Sequence, residues 1–157
     1  MTKKAKTIQH EWSIISASSL VDQDTNNLSL INIIEEVSFE AQLKKDQSFD
    51  HEGEIIPLNM VISTRLRKLN ETNETARGNI QIDFRDPKNK KMATFTQDFE
   101  MIPGVKNIRI RSGIAGLKVT QSGLYNFEIL LKEIDAESYT KVYSLPLMMN
   151  LKISESV

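Results

Sequence analysis

The sequence predicts an all-β sandwich, and three observations support this fold class. Apolar and polar residues alternate with a period of two in successive segments, which is the pattern of half-buried strands. Turn-forming residues separate these segments at short, even spacing, and no segment has a convincing helical period. Each strand then has one buried face, as two packed sheets require. We expect about eight antiparallel strands of the Greek-key, immunoglobulin-like type.

The first two predicted strands form a hairpin. Residues 11–20 and 28–34 are strand-like, and the polar cluster at 22–27 joins them. The second strand is apolar on both faces, so we expect it to be central and covered on both sides. Residues 1–9 are basic and polar and are predicted to be a flexible tail.

The hairpin turn carries the beginning of a calcium-loop pattern. Asp22, Asp24 and Asn26 have the spacing of the first half of such a loop. Asn27 stands where the loop needs glycine, and Ile33 stands where it needs the bidentate glutamate. A solvated hairpin turn is therefore the favoured interpretation.

Residues 38–56 show the weakest pattern and are predicted to form a long acidic loop, a class that is often functional or mobile. Asp50, His51 and Glu52 are candidate partner-binding residues within it. A single histidine among carboxylates is a weak basis for a metal site, so we predict none.

The remaining predicted strands follow at short intervals. They are residues 58–67, 79–85, 94–101, 107–119 with an interruption at Gly113 and Gly116, 125–131 and 139–153. Asp86-Pro87 marks a type I turn in the strongest hairpin, and Pro103-Gly104 suits a type II turn. Pro146 lacks the amide hydrogen that a ladder needs, so the last strand is expected at an edge or broken in two.

The strand that begins at Tyr125 follows a turn at Ser122-Gly123. A Gly-x-Tyr sequence at such an entry is typical of the tyrosine corner of Greek-key sandwiches. We expect the Tyr125 hydroxyl to bind the preceding corner near Gln121.

Length and composition restrict the protein classes. The 157 residues suit one domain, predicted at 10–153 with a short tail at 154–157. The net charge is −1, with 20 basic and 21 acidic residues, so no nucleic-acid partner is expected. The absence of cysteine excludes disulfides, thiol catalysis and Cys-ligated zinc. Because no signal peptide or membrane span is recognised, we expect a cytoplasmic protein with no membrane partner.

Sequence motifs for catalysis are missing. The chain has two histidines, no nucleophile elbow around a serine and no glycine-rich phosphate loop. We therefore predict no catalytic residue and no cofactor.

Four arginines form the second candidate partner-binding group. They are Arg65, Arg67, Arg109 and Arg111, at alternating positions on two predicted strands, and Lys68 follows the first pair. If those strands are neighbours, the arginines form a basic patch for phosphates or an acidic partner. The favoured alternative is cross-strand pairing with Asp83, Asp98 and Glu100.

Four motifs carry a family resemblance. They are the hairpin with Trp12-Ser13-Ile14-Ile15 and 28–33, Pro57 opening a strand, Asp86-Pro87, and Gly116-Leu117 followed by Gly123-Leu124-Tyr125-Asn126-Phe127. Over about residues 11–151 the chain resembles a family of small uncharacterised bacterial proteins that are single β-sandwich domains. The resemblance implies a fold and no catalytic residue.

These observations lead to three alternatives. The first is a non-enzymatic module that binds a protein partner or ligand through the 38–56 loop or an exposed sheet edge. The second is a metal-dependent or hydrolytic accessory enzyme that uses the acidic residues at 46–54. The third is a structural homo-oligomer that pairs through the last strand, where Leu147, Met148, Met149 and Leu151 are crowded.

Overall fold

The computed structural model describes residues 6–43, 54–69 and 73–155. These residues form nine β-strands and no helix. The strands are β1 (Ile8–Val21), β2 (Leu28–Ile33), β3 (Glu36–Leu43), β4 (Glu54–Lys68), β5 (Ala76–Arg85), β6 (Lys91–Met101), β7 (Asn107–Val119), β8 (Gly123–Glu133) and β9 (Thr140–Glu155). Within the described ranges, no helix has the length and apolar character needed to span a membrane.

The strands form two packed sheets, which confirms the predicted sandwich. Sheet A has the order β2-β1-β4-β7, and sheet B has the order β3-β9-β8-β5-β6. The row β1-β4-β7 opposite β9-β8-β5-β6 reproduces the A-B-E and G-F-C-C′ rows of an immunoglobulin-like sandwich. The predicted hairpins β1–β2 and β5–β6 are both present.

The inward side chains of both sheets form one core. Its largest members with almost no exposed surface are Tyr125, Phe84, Phe127, Ile8, Met60, Ile62, Leu66, Ile80, Ile82, Met101, Ile129 and Leu147. The Phe84 ring stacks on Tyr125 with centroids 5.2 Å apart and lies 4.8 Å from Phe127. Each such side chain stabilises the fold by about 1.5–3 kcal/mol relative to exposure.

The strand β3 departs from the prediction in two ways. It brings the count to nine rather than eight, and it pairs with β9 in parallel, so sheet B is not wholly antiparallel. It also occupies residues 38–43 of the predicted long loop, and β4 begins at Glu54 within the same range. The physical reason is burial, because Val37 and Phe39 pack against the core. Residues 44–53 lie outside the described residues.

Both chain ends contain more strand than expected. β1 begins at Ile8, inside the predicted tail 1–9, because Ile8 is a core residue. β9 continues to Glu155, inside the predicted tail 154–157. The pairing with β3 extends that strand, since Leu43 is the register partner of Glu155.

The prediction that the second strand is central is wrong. β2 is the edge strand of sheet A, and Ile31 and Ile33 are 40% and 59% exposed. It pairs with residues 16–21 of β1, whereas β4 pairs with residues 8–16. The hairpin is therefore formed by the part of β1 that follows the residues paired with β4.

β9 is continuous, and Pro146 lies in the part of it that has a neighbour on one side only. It faces Asn126 of β8, while β3 joins β9 from Met148 onward. The prediction that the last strand is at an edge or broken therefore holds only for the part around Pro146, because β9 as a whole lies between β3 and β8. The side chains of Leu147 and Met149 are buried in the core, so they do not form an exposed apolar surface.

Candidate anion-binding site

The four predicted arginines lie on the outward face of two neighbouring strands. β4 and β7 pair with Arg65 opposite Arg109 and Ser63 opposite Arg111. The condition set for a basic patch, that these strands are neighbours, is therefore met. The pairing with Asp83, Asp98 and Glu100 is wrong, because those carboxylates belong to sheet B.

Arg109 and Arg111 hold the β1–β2 hairpin against the sheet. Arg109 Nη2 donates to the backbone oxygen and to Oδ1 of Asn26, both at 2.6 Å. Arg111 Nε donates to Ser19 Oγ at 2.7 Å, and its Nη2 donates to the Ser19 carbonyl at 2.6 Å. These bonds tie the hairpin to β7 on the outward face of sheet A, where Ser63, the register partner of Arg111, is fully buried. We call Arg109 and Arg111, which anchor the hairpin to β7 through these hydrogen bonds, the latch.

Arg65 and Arg67 have a different environment, a cavity of about 520 Å³ that also has Lys68 and Lys106 in its wall. We call it the basic cavity. The remaining lining residues are Glu11, Leu69, Asn73, Gly104, Val105 and Asn107. The side chains of Arg65 and Arg67 are 41% and 58% exposed, so both are accessible from solvent.

Local backbone structure brings the cations together. The Lys68 amide donates to the Lys106 carbonyl at 2.8 Å, which joins the end of β4 to the segment before β7. The predicted Pro103-Gly104 turn is confirmed, since Gly104 has a φ of 84° and the Val105 amide donates to Ile102. The turn places Lys106 beside the arginine strand.

Within the described part of the chain, Glu11 is the single carboxylate that lines the basic cavity. Its Oε2 lies 2.7 Å from Arg65 Nε, and its Oε1 lies 3.9 Å from Arg67 Nη1. The β1–β4 register shifts between His10 and Trp12, so Glu11 is the extra residue of a β-bulge. Bulges re-aim side chains, which accounts for a carboxylate that reaches both arginines.

The chemistry of this wall favours binding of an oxyanion. The guanidinium fork matches carboxylates and phosphates, and two lysines add positive charge. Among the residues that the structure describes, the lining of the basic cavity has no titratable side chain apart from Glu11 and the four cations. The cavity therefore offers electrostatic attraction and hydrogen bonds.

A histidine and a serine meet elsewhere in the arrangement that nucleophilic catalysis uses. His10 Nε2 lies 2.8 Å from Ser13 Oγ, which lies 2.8 Å from Thr64 Oγ1. Ser13 is only 4% exposed, and the His10 ring stacks on Tyr143 at 5.0 Å. Partial burial lowers the pKa of His10. A substrate has no access to Ser13, so these contacts stabilise the fold.

Sequence reasoning found part of the basic cavity. It identified Arg65, Arg67 and Lys68 but missed Lys106 and Glu11. Lys106 is brought to the cavity by the Pro103-Gly104 turn, and Glu11 by the bulge in β1. Asp50, His51 and Glu52 lie outside the described residues. In the part of the chain that the structure describes, no three acidic or histidine side chains cluster as metal ligands.

Comparison of the sequence with protein-family models and with curated proteins gives no match. The function therefore has to be inferred from the side chains of the basic cavity.

Proposed function

We propose that the protein is a non-enzymatic interaction module that binds an acidic segment of a partner protein in the basic cavity. The main support for this proposal is the charge of the described residues that line the cavity, which are four cations and one carboxylate. The chain as a whole has a net charge of −1, so this surface differs sharply from the average. Clefts lined by one sign of charge concentrate ligands of the opposite sign.

A protein segment fits the cavity better than a nucleic acid. Nucleic-acid binding relies on many phosphate contacts along an extended basic track. Arg109 and Arg111 would extend the track along β7, but both are bound to the β1–β2 hairpin. What remains is a compact site sized for a few side chains.

The absence of a catalytic role belongs to the same proposal. The wall of the cavity supplies cations and one paired carboxylate, and the serine of the His10–Ser13 pair is buried. The enzyme alternative depends on residues 46–54, most of which lie outside the described residues.

The test uses a hexaglutamate peptide as the probe and the fluorescence of Trp12 as the signal. Trp12 is the only tryptophan and is the register partner of Arg65 on the same face. We expect saturable binding by the wild type that weakens with salt. Arg67→Gln should weaken it by about 5- to 10-fold, in line with the loss of one charged hydrogen-bond donor.

The matched control is Arg77→Gln. Arg77 is 56% exposed, like Arg67, and pairs with a glutamate at 3.1 Å, but it lies in sheet B. Peptide affinity should stay at the wild-type value in this variant. The proposal is wrong if the wild type shows no saturable binding, or if both variants lose affinity equally. If a single-stranded oligothymidylate binds more tightly than the peptide at the same salt concentration, the partner is a nucleic acid and the proposal of a protein partner is wrong.

A further inference from the structure

We infer that Glu11 is a built-in competitor for the ligand, and that the group it competes with is a carboxylate. This inference rests on the proposed function of the basic cavity and specifies the chemistry of its ligand. In the unbound protein, the Glu11 carboxylate is paired with the Arg65 guanidinium. On binding, an acidic side chain of the partner takes the place of Glu11 beside this guanidinium.

The distances show a cavity that one carboxylate fills only in part. Glu11 Oε2 lies 2.7 Å from Arg65 Nε as an ion pair, but this Nε–H has no hydrogen-bond partner among the described residues, and Glu11 Oε1 lies 3.9 Å from Arg67 Nη1. Each guanidinium has five N–H donors, so two arginines offer many more donors than one carboxylate accepts. The Glu11 contact shows where a carboxylate sits and leaves donors for a second oxyanion.

The bulge in β1 indicates that this contact is a specific feature of the backbone. The strand pairs regularly through Ile8, Gln9 and His10, skips Glu11 and resumes at Trp12. One extra residue disrupts the ladder locally, and such bulges are frequent beside binding and active sites. Here the disruption places a negative charge at the mouth of a cavity that is otherwise positive.

The competitor role of Glu11 predicts the direction in which ligand affinity changes when its charge is removed. Neutralising Glu11 removes repulsion between two carboxylates in one cavity and leaves more arginine donors for the ligand. If Glu11 only positioned Arg65 for binding, its neutralisation would weaken the complex. The two roles therefore predict opposite changes in affinity.

The experiment titrates the full chain and its Glu11→Gln variant with the hexaglutamate peptide, using Trp12 fluorescence. Glutamine keeps the size of the side chain and removes the charge. We expect affinity to rise on the order of 3- to 10-fold at low salt, and the gain to shrink at high salt. The matched control is Glu100→Gln, which neutralises the partner of Arg77 in sheet B and should leave affinity unchanged.

Each outcome separates this inference from the proposed function. Binding by the wild type with equal or weaker binding by Glu11→Gln overturns the competitor role and leaves the proposed function intact. No binding by either protein overturns the proposed function itself. Competition with acetate and with inorganic phosphate identifies the oxyanion. Displacement of the peptide by phosphate at much lower concentration than acetate would overturn the assignment to a carboxylate.

Discussion

At the scale of single residues, Tyr125 is the strongest test of the fold. Its hydroxyl accepts from the amides of Thr120 and Gln121 at 3.1 and 3.2 Å and donates to the Gln121 carbonyl at 2.9 Å. Tyr125→Phe leaves these buried groups without their partner, so we expect the free energy of unfolding to fall by about 1–3 kcal/mol. Urea denaturation measures it. Tyr143→Phe is the control, because Tyr143 is largely exposed and its change should stay within about 0.5 kcal/mol. Equal losses would contradict the corner.

His10 makes stability depend on pH through its lowered pKa. Partial burial disfavours the imidazolium in the folded state, so the unfolded chain binds the proton first as pH falls. The His10 contribution is therefore complete above about pH 6.5 and is lost as pH decreases from there toward the lower folded-state pKa. Urea unfolding of the wild type and His10→Gln between about pH 7.5 and 5 measures it. The decline should be shallower in His10→Gln, and identical slopes would disprove the effect.

The residue scale also shows why only some contacts were predictable. Tyr125 bonds to Gln121, four positions away, so a local motif identified both partners before the structure was known. Arg109 bonds to Asn26 across 83 positions, and no local pattern encodes that contact. The sequence left open whether the two arginine strands are neighbours, and its favoured alternative paired the arginines with carboxylates that belong to the other sheet.

At the scale of elements, the β1–β2 hairpin depends on its latch. Arg111 donates to both the hydroxyl and the carbonyl of Ser19, which is buried. Arg111→Ala leaves these acceptors unpaired, so we expect a loss of about 1.5–3 kcal/mol and faster amide exchange in β2. Hydrogen exchange of residues 17–33 measures the effect. Arg77→Ala serves as the control for loss of an exposed arginine, and unchanged exchange of β2 in Arg111→Ala would rule out the latch.

Elements were predictable where alternation is long and clean. In β5 and β8, apolar and polar or buried and less buried residues alternate over 79–85 and 125–131, and the sequence located both strands to within three residues. In β3, Val37 and Phe39 are only partly buried, and its parallel partner is near the other end of the chain. A short alternation next to charged residues does not distinguish such a strand from a loop. For β2 the prediction of a central strand was wrong for the opposite reason, because its apolar residues lie partly exposed at the edge of sheet A.

At the scale of the whole molecule, the sequence established the sandwich but left the basic cavity incomplete. Sandwich packing follows from the period of each strand, which is a local property. The cavity combines a bulge in β1, the end of β4 and the turn before β7, which meet only after folding. A net charge of −1 conceals such a cluster, because opposite charges elsewhere cancel it in the total.

The two sheets are joined at one end by Glu133, the last residue of β8. Its Oε1 accepts from the amides of Thr7 and Ile8 at 3.0 and 3.1 Å, and its Oε2 accepts from the Thr7 hydroxyl. The carboxylate thus connects sheet B to the start of sheet A. Because three donors lose a charged acceptor in Glu133→Ala, we expect the free energy of unfolding to fall by about 1.5–3 kcal/mol.

Glu100→Ala is the matched control for this connection. Glu100 is also a glutamate of sheet B, but its pair with Arg77 is exposed, so its removal should cost at most about 1 kcal/mol. Urea denaturation gives both values, and limited proteolysis near residues 6–10 reports whether the start of β1 detaches. If the two variants lose equal stability and β1 stays resistant to protease, Glu133 does not hold the sheets together. In that case the core alone accounts for their packing.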